Sequence, residues 1–287
     1  MELLFQQIFN GLTIGSVYTL VALGLTLVFG ILHVPNFAHG AFYMVGAYIT
    51  LMMMVGFGFH YWIAILASVA VVALLGVVTQ QLIFKKLEGA DGMRMMVAAI
   101  GILLFLEAFG QFMWGTEYYR MDTPYGSVVN LFGLTVTLQR LLIIVAAVIL
   151  MLALHFFLTK TMIGAAIVAM AQNREGAFLV GINANQVAWL TFAIAGGLAA
   201  AAASLASPIN LVFPTMGNLV IMKAFVIIII GGMGSIPGAI LGGYLLGLTE
   251  SIGATYISSD YKDVIAFLLL VVILTAKPTG LFTKGVQ

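Results

Sequence analysis

Apolar stretches near membrane-crossing length follow one another along almost all of this chain, parted only by short polar breaks. Charged residues make up 7% of its 287 residues and hydrophobic ones 63%. A water-facing domain of this length carries roughly 25% charged residues to cover its surface. The outside of the molecule must therefore face lipid, and the chain reads as a polytopic membrane protein.

Nine apolar segments, each near the ~20 residues a helix needs to cross a bilayer, run approximately Ile8–Gly30, Ala38–Val55, Trp62–Phe84, Met95–Trp114, Gln139–Leu158, Val187–Ser207, Asn218–Ile230, Pro237–Ala254 and Val264–Ala276. The expected fold is all-α, with about nine transmembrane helices and a range of eight to ten. Unpaired backbone in hydrocarbon costs several kcal/mol per group, so helix is the default, and no barrel-like alternation is present. The first run is too long for a signal-peptide core and lacks a basic leader, so it is expected to stay as a span. No soluble domain fits between the spans, and residues 1–287 are expected to form one transmembrane unit.

Lysine and arginine set the expected orientation, with the N-terminus outside and the C-terminus inside. The inner stretches then hold Lys85, Lys86, Arg94, Lys160, Arg174, Lys277 and Lys284, the outer loops only Arg120, Arg140 and Lys262, and Lys223 falls within a span. The net charge of +1 offers no basic stripe for nucleic acid. With no cysteine in the chain, disulfides, thiolate zinc sites and cysteine nucleophiles are excluded. His33, His39, His60 and His155 lack metal-ligand spacing. There is no Walker loop, no nucleophile elbow and no carboxylate pair placed for acid–base work. The chain is expected to be a non-enzyme without a cofactor, and any energy source must come from a partner or an ion gradient.

Two breaks stand out. Leu32-His33-Val34-Pro35-Asn36-Phe37-Ala38-His39-Gly40 interrupts the first half, with Asn36 as expected N-cap. Gly231-Gly232-Met233-Gly234-Ser235-Ile236-Pro237-Gly238 interrupts the second, its glycines ending one helix while Ser235 and Pro237 start the next. Paired breaks of this kind mark an inverted repeat with discontinuous helices around a transport path; ordinary short turns are the other reading. In sequence Gly40-Ala41 matches Gly238-Ala239, and little else aligns. Gly11 with Gly15, and Gly234, Gly238, Gly242, Gly243 and Gly247, are expected to let helices approach closely. Glu107 and Glu250 read as members of buried ion pairs, and Lys223 as either a path residue or a lysine snorkelling to the outer interface.

A third feature is the polar interruption from Gln172 to Gly181, containing Arg174, Glu175, Ala177 and Gly181. Together with Asn36-Phe37-Ala38-His39-Gly40 through Gly46-Ala47-Tyr48, Lys223-Ala224-Phe225, the Gly231–Gly238 break, Tyr261-Lys262-Asp263 and Lys277-Pro278-Thr279-Gly280, it resembles bacterial branched-chain amino-acid ABC permeases over essentially the whole chain. More narrowly, the chain is similar to the first of the two permease subunits of the high-affinity leucine/isoleucine/valine system.

The resemblance implies an importer subunit in the bacterial inner membrane. Its partners would be a second, homologous permease, two cytoplasmic ATPase subunits and a periplasmic substrate-binding protein. A cytoplasmic coupling loop at about residues 160–186 would touch the ATPase through Arg174, Glu175, Ala177 and Gly181. The translocation path and its helix breaks would involve Asn36, His39, Gly40, Lys223, Gly231, Gly232, Gly234, Ser235, Pro237 and Gly238. Related sugar permeases carry one extra N-terminal span, so nine here fits their usual ten. The stretch Gly164–Ala171 lacks the arginines usual before such a loop, which points to apolar docking of a short helix. Half-helix N-termini after Asn36 and Ser235 are expected to offer partial positive charge to a substrate carboxylate. The alternatives are the same permease class carrying urea, short amides or a sugar, a gradient-driven amino-acid carrier, and an intramembrane enzyme or passive channel.

Overall fold

The computed structural model describes residues 2–131 and 134–282. Its helices are α1 (Glu2–Leu32), α2 (Ala38–Leu51), α3 (Tyr61–Leu82), α4 (Gly92–Trp114), α5 (Leu138–Lys160), α6 (Met162–Gln172), α7 (Arg174–Leu179), α8 (Ala184–Ala206), α9 (Met216–Gly231), α10 (Ile236–Tyr256) and α11 (Lys262–Ala276). A π-helical turn, Met52–Gly56, extends α2. The chain is all-α as expected apart from one short hairpin, in which strands β1 (Val128–Leu131) and β2 (Leu134–Thr137) pair antiparallel. They lie in the connection between α4 and α5, where the β-branched Val128, Val129, Thr135, Val136 and Thr137 favour strand.

Each of the nine expected segments contains helix, but helix length alone does not give nine spans. Among the described residues six helices are long and apolar enough to cross a membrane singly, or seven spans result if α9 and α10, bent by 120° at their junction, are taken as one broken span. With 16 and 15 residues, α9 and α11 are short. Lys284 lies outside the described residues.

Helix ends follow local chemistry. His33 takes a left-handed conformation (φ 54°) after α1, and Pro35 follows, a common way to stop a helix. The Ser235 hydroxyl accepts from Gly238 N at 3.2 Å, with Pro237 in the first turn of α10. Side chains of Thr161, Asn173 and Asn183 likewise accept from the backbone at the starts of α6, α7 and α8, which is how one polar interruption becomes two short helices.

Packing repeats with the halves of the chain exchanged. α1 packs chiefly on α10 and α3 on α8; α2 packs on α3 and α4, as α9 does on α10 and α11. α1 and α8 run in opposite senses, because the C-terminal end of α1 and the N-terminal end of α8 line the same recess, formed by Ile31, Leu32, Ala184 and Ala188 among others. Where α2 crosses its counterpart α9, Gly40 and Gly217 face each other: a Cβ at either would run into the other's carbonyl oxygen. The break before α2 therefore corresponds to residues 207–215 before α9. It does not correspond to Gly231–Gly238, as the Gly40-Ala41 and Gly238-Ala239 match suggested. That match fails because the connector before α9 carries Pro208 and Pro214 but no glycine pair.

The same close approach holds α1 on α10, where a Cβ on Gly11 would sit 2.8 Å from Leu248 Cα and one on Gly247 2.5 Å from Gly15 Cα. Ser16 and Tyr244 hydroxyls, 3.2 Å apart, and the 2.8 Å bond from Ser251 Oγ to Gln7 O add polar ties along that seam.

Gly217→Leu should destabilise the purified protein by about 1–3 kcal/mol or more, the usual range for an overfilled interior site. Gly101→Leu, at a helix position where a Cβ meets nothing within 4 Å, should leave the thermal unfolding profile in detergent unchanged or slightly raised, since leucine favours helix over glycine. Equal effects at both positions would remove the Gly40–Gly217 contact as the discriminating feature.

Candidate functional site

The α6–α7 elbow projects from one end of the bundle. Ala177 is buried and fastens α7 to the body, while Phe178, Leu179 and Val180 are 53%, 89% and 76% exposed. Met162, at the start of α6, is 90% exposed. An apolar ridge this open, rimmed by polar residues, is a surface to be covered by something else. Arg174, its side chain partly exposed, pairs with Glu88 from the connection between α3 and α4, and its guanidinium lies 5.9 Å from the Phe178 ring centroid. Glu175 is exposed, and Gly181 (φ 81°) closes the segment in the left-handed region. The expected touching residues thus divide into an inward anchor (Ala177), an internal tie (Arg174) and an outward pair (Glu175 and Gly181). Sequence reading missed Glu88 and the exposed ridge 178–180, although Phe178-Leu179-Val180 next to Gly181 is a visible apolar triplet in a polar stretch.

The same end collects the turn between α9 and α10 and the C-terminal segment. Gly231 and Gly238 pack backbone to backbone, while Gly232 (φ 100°) and Gly234 (φ 82°) turn the chain. Leu281 N donates to Ile230 O at 2.8 Å, and Lys277 Nζ donates to Leu281 O at 2.6 Å. Lys85, Arg174 and Glu88 border the recess beside α8. The stretches carrying Lys85, Lys86, Arg94, Lys160, Arg174 and Lys277 therefore lie together at this end.

At the first break, Asn36 is buried at 1% exposure and its Oδ1 accepts from Ala38 N at 3.2 Å. Phe37 occupies the formal cap position, so Asn36 acts one residue earlier than expected. Phe37 also packs on Phe225 of α9, ring centroids 4.8 Å apart. His39 is fully buried against Gly24, its Nε2 3.0 Å from Val21 O. These residues join α1, α2 and α9 deep in the bundle, whereas Ser235 and Pro237 lie at the α6–α7 end.

The polar centre lies elsewhere. Lys223 Nζ stands 2.7 Å from Glu250 Oε1, 3.1 Å from Asp263 Oδ1 and 3.0 Å from Tyr18 OH. Tyr18 OH in turn donates to Glu250 Oε2 at 2.9 Å. Helices α1, α9, α10 and α11 each supply one member, so the ion pair expected for Glu250 is formed with Lys223. For Glu107 the expectation is corrected: among the described residues it forms no ion pair, and its Oε1 is buried without a hydrogen-bond partner. Lys223, Glu250, Asp263, Tyr18 and Tyr43 line a cavity of about 450 Å³ that neither Asn36 nor Ser235 borders. Its rim includes Ile209, Asn210 and Leu211 from the connector before α9, a connector that Thr123 and Tyr119 bind from the α4–α5 connection opposite the elbow. Among the described residues no group of three or more His, Asp or Glu is arranged to hold a metal ion.

Comparison with known proteins matches residues 7–274 to the family described as branched-chain amino acid transport system / permease component. The chain is 37% identical to the high-affinity branched-chain amino acid transport system permease protein BraD of Pseudomonas aeruginosa, covering 97% of this chain and 95% of that protein. It is 34% identical to the permease protein LivH of Escherichia coli, with the same coverage of 97% and 95%. In fold it is similar to a chain of PsaBC from Streptococcus pneumoniae, solved in complex with a Fab, at a TM-score of 0.50 and 12% identity over 96% of this chain and 91% of that one. The chain belongs to the branched-chain amino acid transport system permease family.

Proposed function

We propose that this chain is the membrane permease subunit of an ATP-driven ABC importer that moves leucine, isoleucine and valine across the bacterial cytoplasmic membrane. The observation that carries this reading is the exposed apolar ridge on the capped α6–α7 elbow, set at the cation-rich end of a chain of this family. It supports docking of α7 in a groove of a cytoplasmic ATPase through Phe178, Leu179 and Val180, with Glu175 and Gly181 at the edge of the contact. Two such ATPases, a second homologous permease and a periplasmic binding protein complete the assembly. The N-terminus then lies outside and the C-terminus inside, with about nine segments arranged as an inverted repeat.

ATP binding draws the ATPases together and pushes the elbow. Asn173 and Thr161 cap its two short helices, so it moves as a stiff lever. The Arg174–Glu88 tie passes part of the displacement to α3 and α4, and Ala177 passes it to the bundle interior. The two permeases rock between outward and inward openings. An aliphatic zwitterion suits a path with few fixed charges, because its side chain needs apolar wall and its two charges need only a few polar partners. The N-terminal ends of α2 and α10 remain the proposed sources of weak positive potential near Asn36 and Ser235.

Orientation is tested by labelling intact cells with a membrane-impermeant thiol reagent. Glu117→Cys should react at once and Glu175→Cys only after permeabilisation; the reverse pattern ends this reading of the elbow. Coupling is tested in the reconstituted complex. Gly181→Leu, which forces a branched side chain into a left-handed backbone at a cost of ~1–2 kcal/mol, and Glu175→Lys should both lower leucine uptake per ATP hydrolysed. Full uptake and full binding-protein-stimulated hydrolysis in both variants would place the contact elsewhere. Asn36→Ala and Ser235→Ala should slow uptake without preventing assembly, and unchanged transport would remove the helix-end role.

A further inference from the structure

The Lys223 cluster holds two carboxylates and one buried ammonium, and it forms one wall of the 450 Å³ cavity. That volume is within the range of small-molecule sites, ~300–1,000 Å³. Much of the remaining wall is apolar, with Val17 from α1, Phe213 from the connector and Leu219 from α9. The members of the cluster differ in exposure: the Lys223 and Glu250 side chains are 13% and 5% exposed, whereas Asp263 is 49% exposed. Lys223 thus has one firmly buried partner and one that faces the opening.

We propose that this cavity binds the zwitterionic head of an aliphatic α-amino acid by exchange of ion pairs. The substrate carboxylate replaces Asp263 on Lys223, and Asp263, now free, receives the substrate ammonium. Glu250 and Tyr18 stay in place and hold the lysine. Each charge of the Lys223 cluster keeps a partner through the exchange, with Lys262 as a further cation on the cavity lining, and the net charge of the cluster does not change, which avoids the several kcal/mol that an unpaired ion costs at this depth. The branched side chain lies against Val17, Phe213 and Leu219. The site deepens the permease reading above and rests on it. The cavity borders the connector on the side away from the elbow, where the binding protein would deliver its cargo.

The test uses the assembled complex of both permeases and both ATPases, with the binding protein left out so that L-leucine reaches the cavity directly. The chain has no cysteine, so Leu219→Cys puts a single thiol of this subunit on the cavity wall, at a position 56% exposed. L-leucine at about ten times its half-saturating concentration should slow modification by a small maleimide roughly tenfold, as mass action on one site requires. Isoamylamine and 4-methylpentanoate each carry half of the zwitterion and should protect poorly. Lys223→Met in the same background should lose the protection. Where that variant fails to assemble, the exchange Lys223→Glu with Glu250→Lys keeps the charge count, and it should co-purify with the other subunits without protection by leucine. Absence of protection in the parent, or full protection in either lysine variant, overturns the proposal. Leucine uptake by the parent complex with its binding protein, measured in parallel, separates the two ideas. Uptake without protection removes only the cavity site, whereas no uptake of any branched-chain amino acid removes the permease reading itself.

Discussion

Helix packing without a hydrophobic driving force is the constraint on which the rest of this structure depends. Lipid tails are as apolar as leucine, so burying one apolar helix on another gains little from water release. What remains is close van der Waals fit and the pairing of polar groups. The chain meets the first need with glycine seams. Gly11 and Gly15 bring α1 onto Leu248, Tyr244 and Gly247 of α10, Gly76 and Gly196 do the same for α3 and α8, and Gly40 and Gly217 let α2 cross α9. These three contacts form a frame, and the outward faces of α3, α4, α5 and α11 carry large apolar side chains that need only be lipid-compatible.

The frame also fixes where polar groups can converge. Once α10 lies on α1 and α9 on α10, Tyr18, Lys223 and Glu250 have no alternative but to meet, and α11 adds Asp263. At the elbow end the same frame brings the α3–α4 connection beside α7, so that Glu88 reaches Arg174. Both polar features are consequences of glycine packing as much as of charge. A helix pair held a few ångströms further apart would leave Lys223 without its second partner.

Much of the helical pattern could be read from the sequence, because runs of membrane length in a chain this poor in charge allow little else. The starts of α10 and the break at Gly231–Gly238 were equally visible, since Ser235, Pro237 and the glycines act through local backbone chemistry. Less visible were features that depend on distant partners. The connector before α9 escaped notice because Pro208 and Pro214 lie in a stretch without a glycine pair, and its equivalence to the His33–Phe37 break becomes clear only from the Gly40–Gly217 crossing. β1 and β2 are too short to stand out beside the apolar run that follows them. Of the candidate site, Lys223 and the 172–181 interruption were identifiable as chemical oddities, whereas Tyr18, Asp263 and Glu88 look ordinary until the fold supplies their neighbours.

The placement of charge also bears on why a transporter would retain ionisable groups at all. A single lysine at the bilayer centre costs ~2.5–3.5 kcal/mol on insertion scales, and a buried ion pair is often no more stabilising than apolar residues of the same size. Stability alone therefore gives no reason for Lys223, Glu250 and Asp263 in a seam that leucines could fill. Their arrangement is also uneven, with one carboxylate buried and the other facing a cavity. The half-exposed carboxylate loses less hydration than the buried one and is held less firmly. An uneven lock has one arm that can be exchanged at low cost, and a path for small zwitterions needs such an arm: near enough to pair with the lysine when the cavity is empty, and exposed enough to give way when a carboxylate arrives.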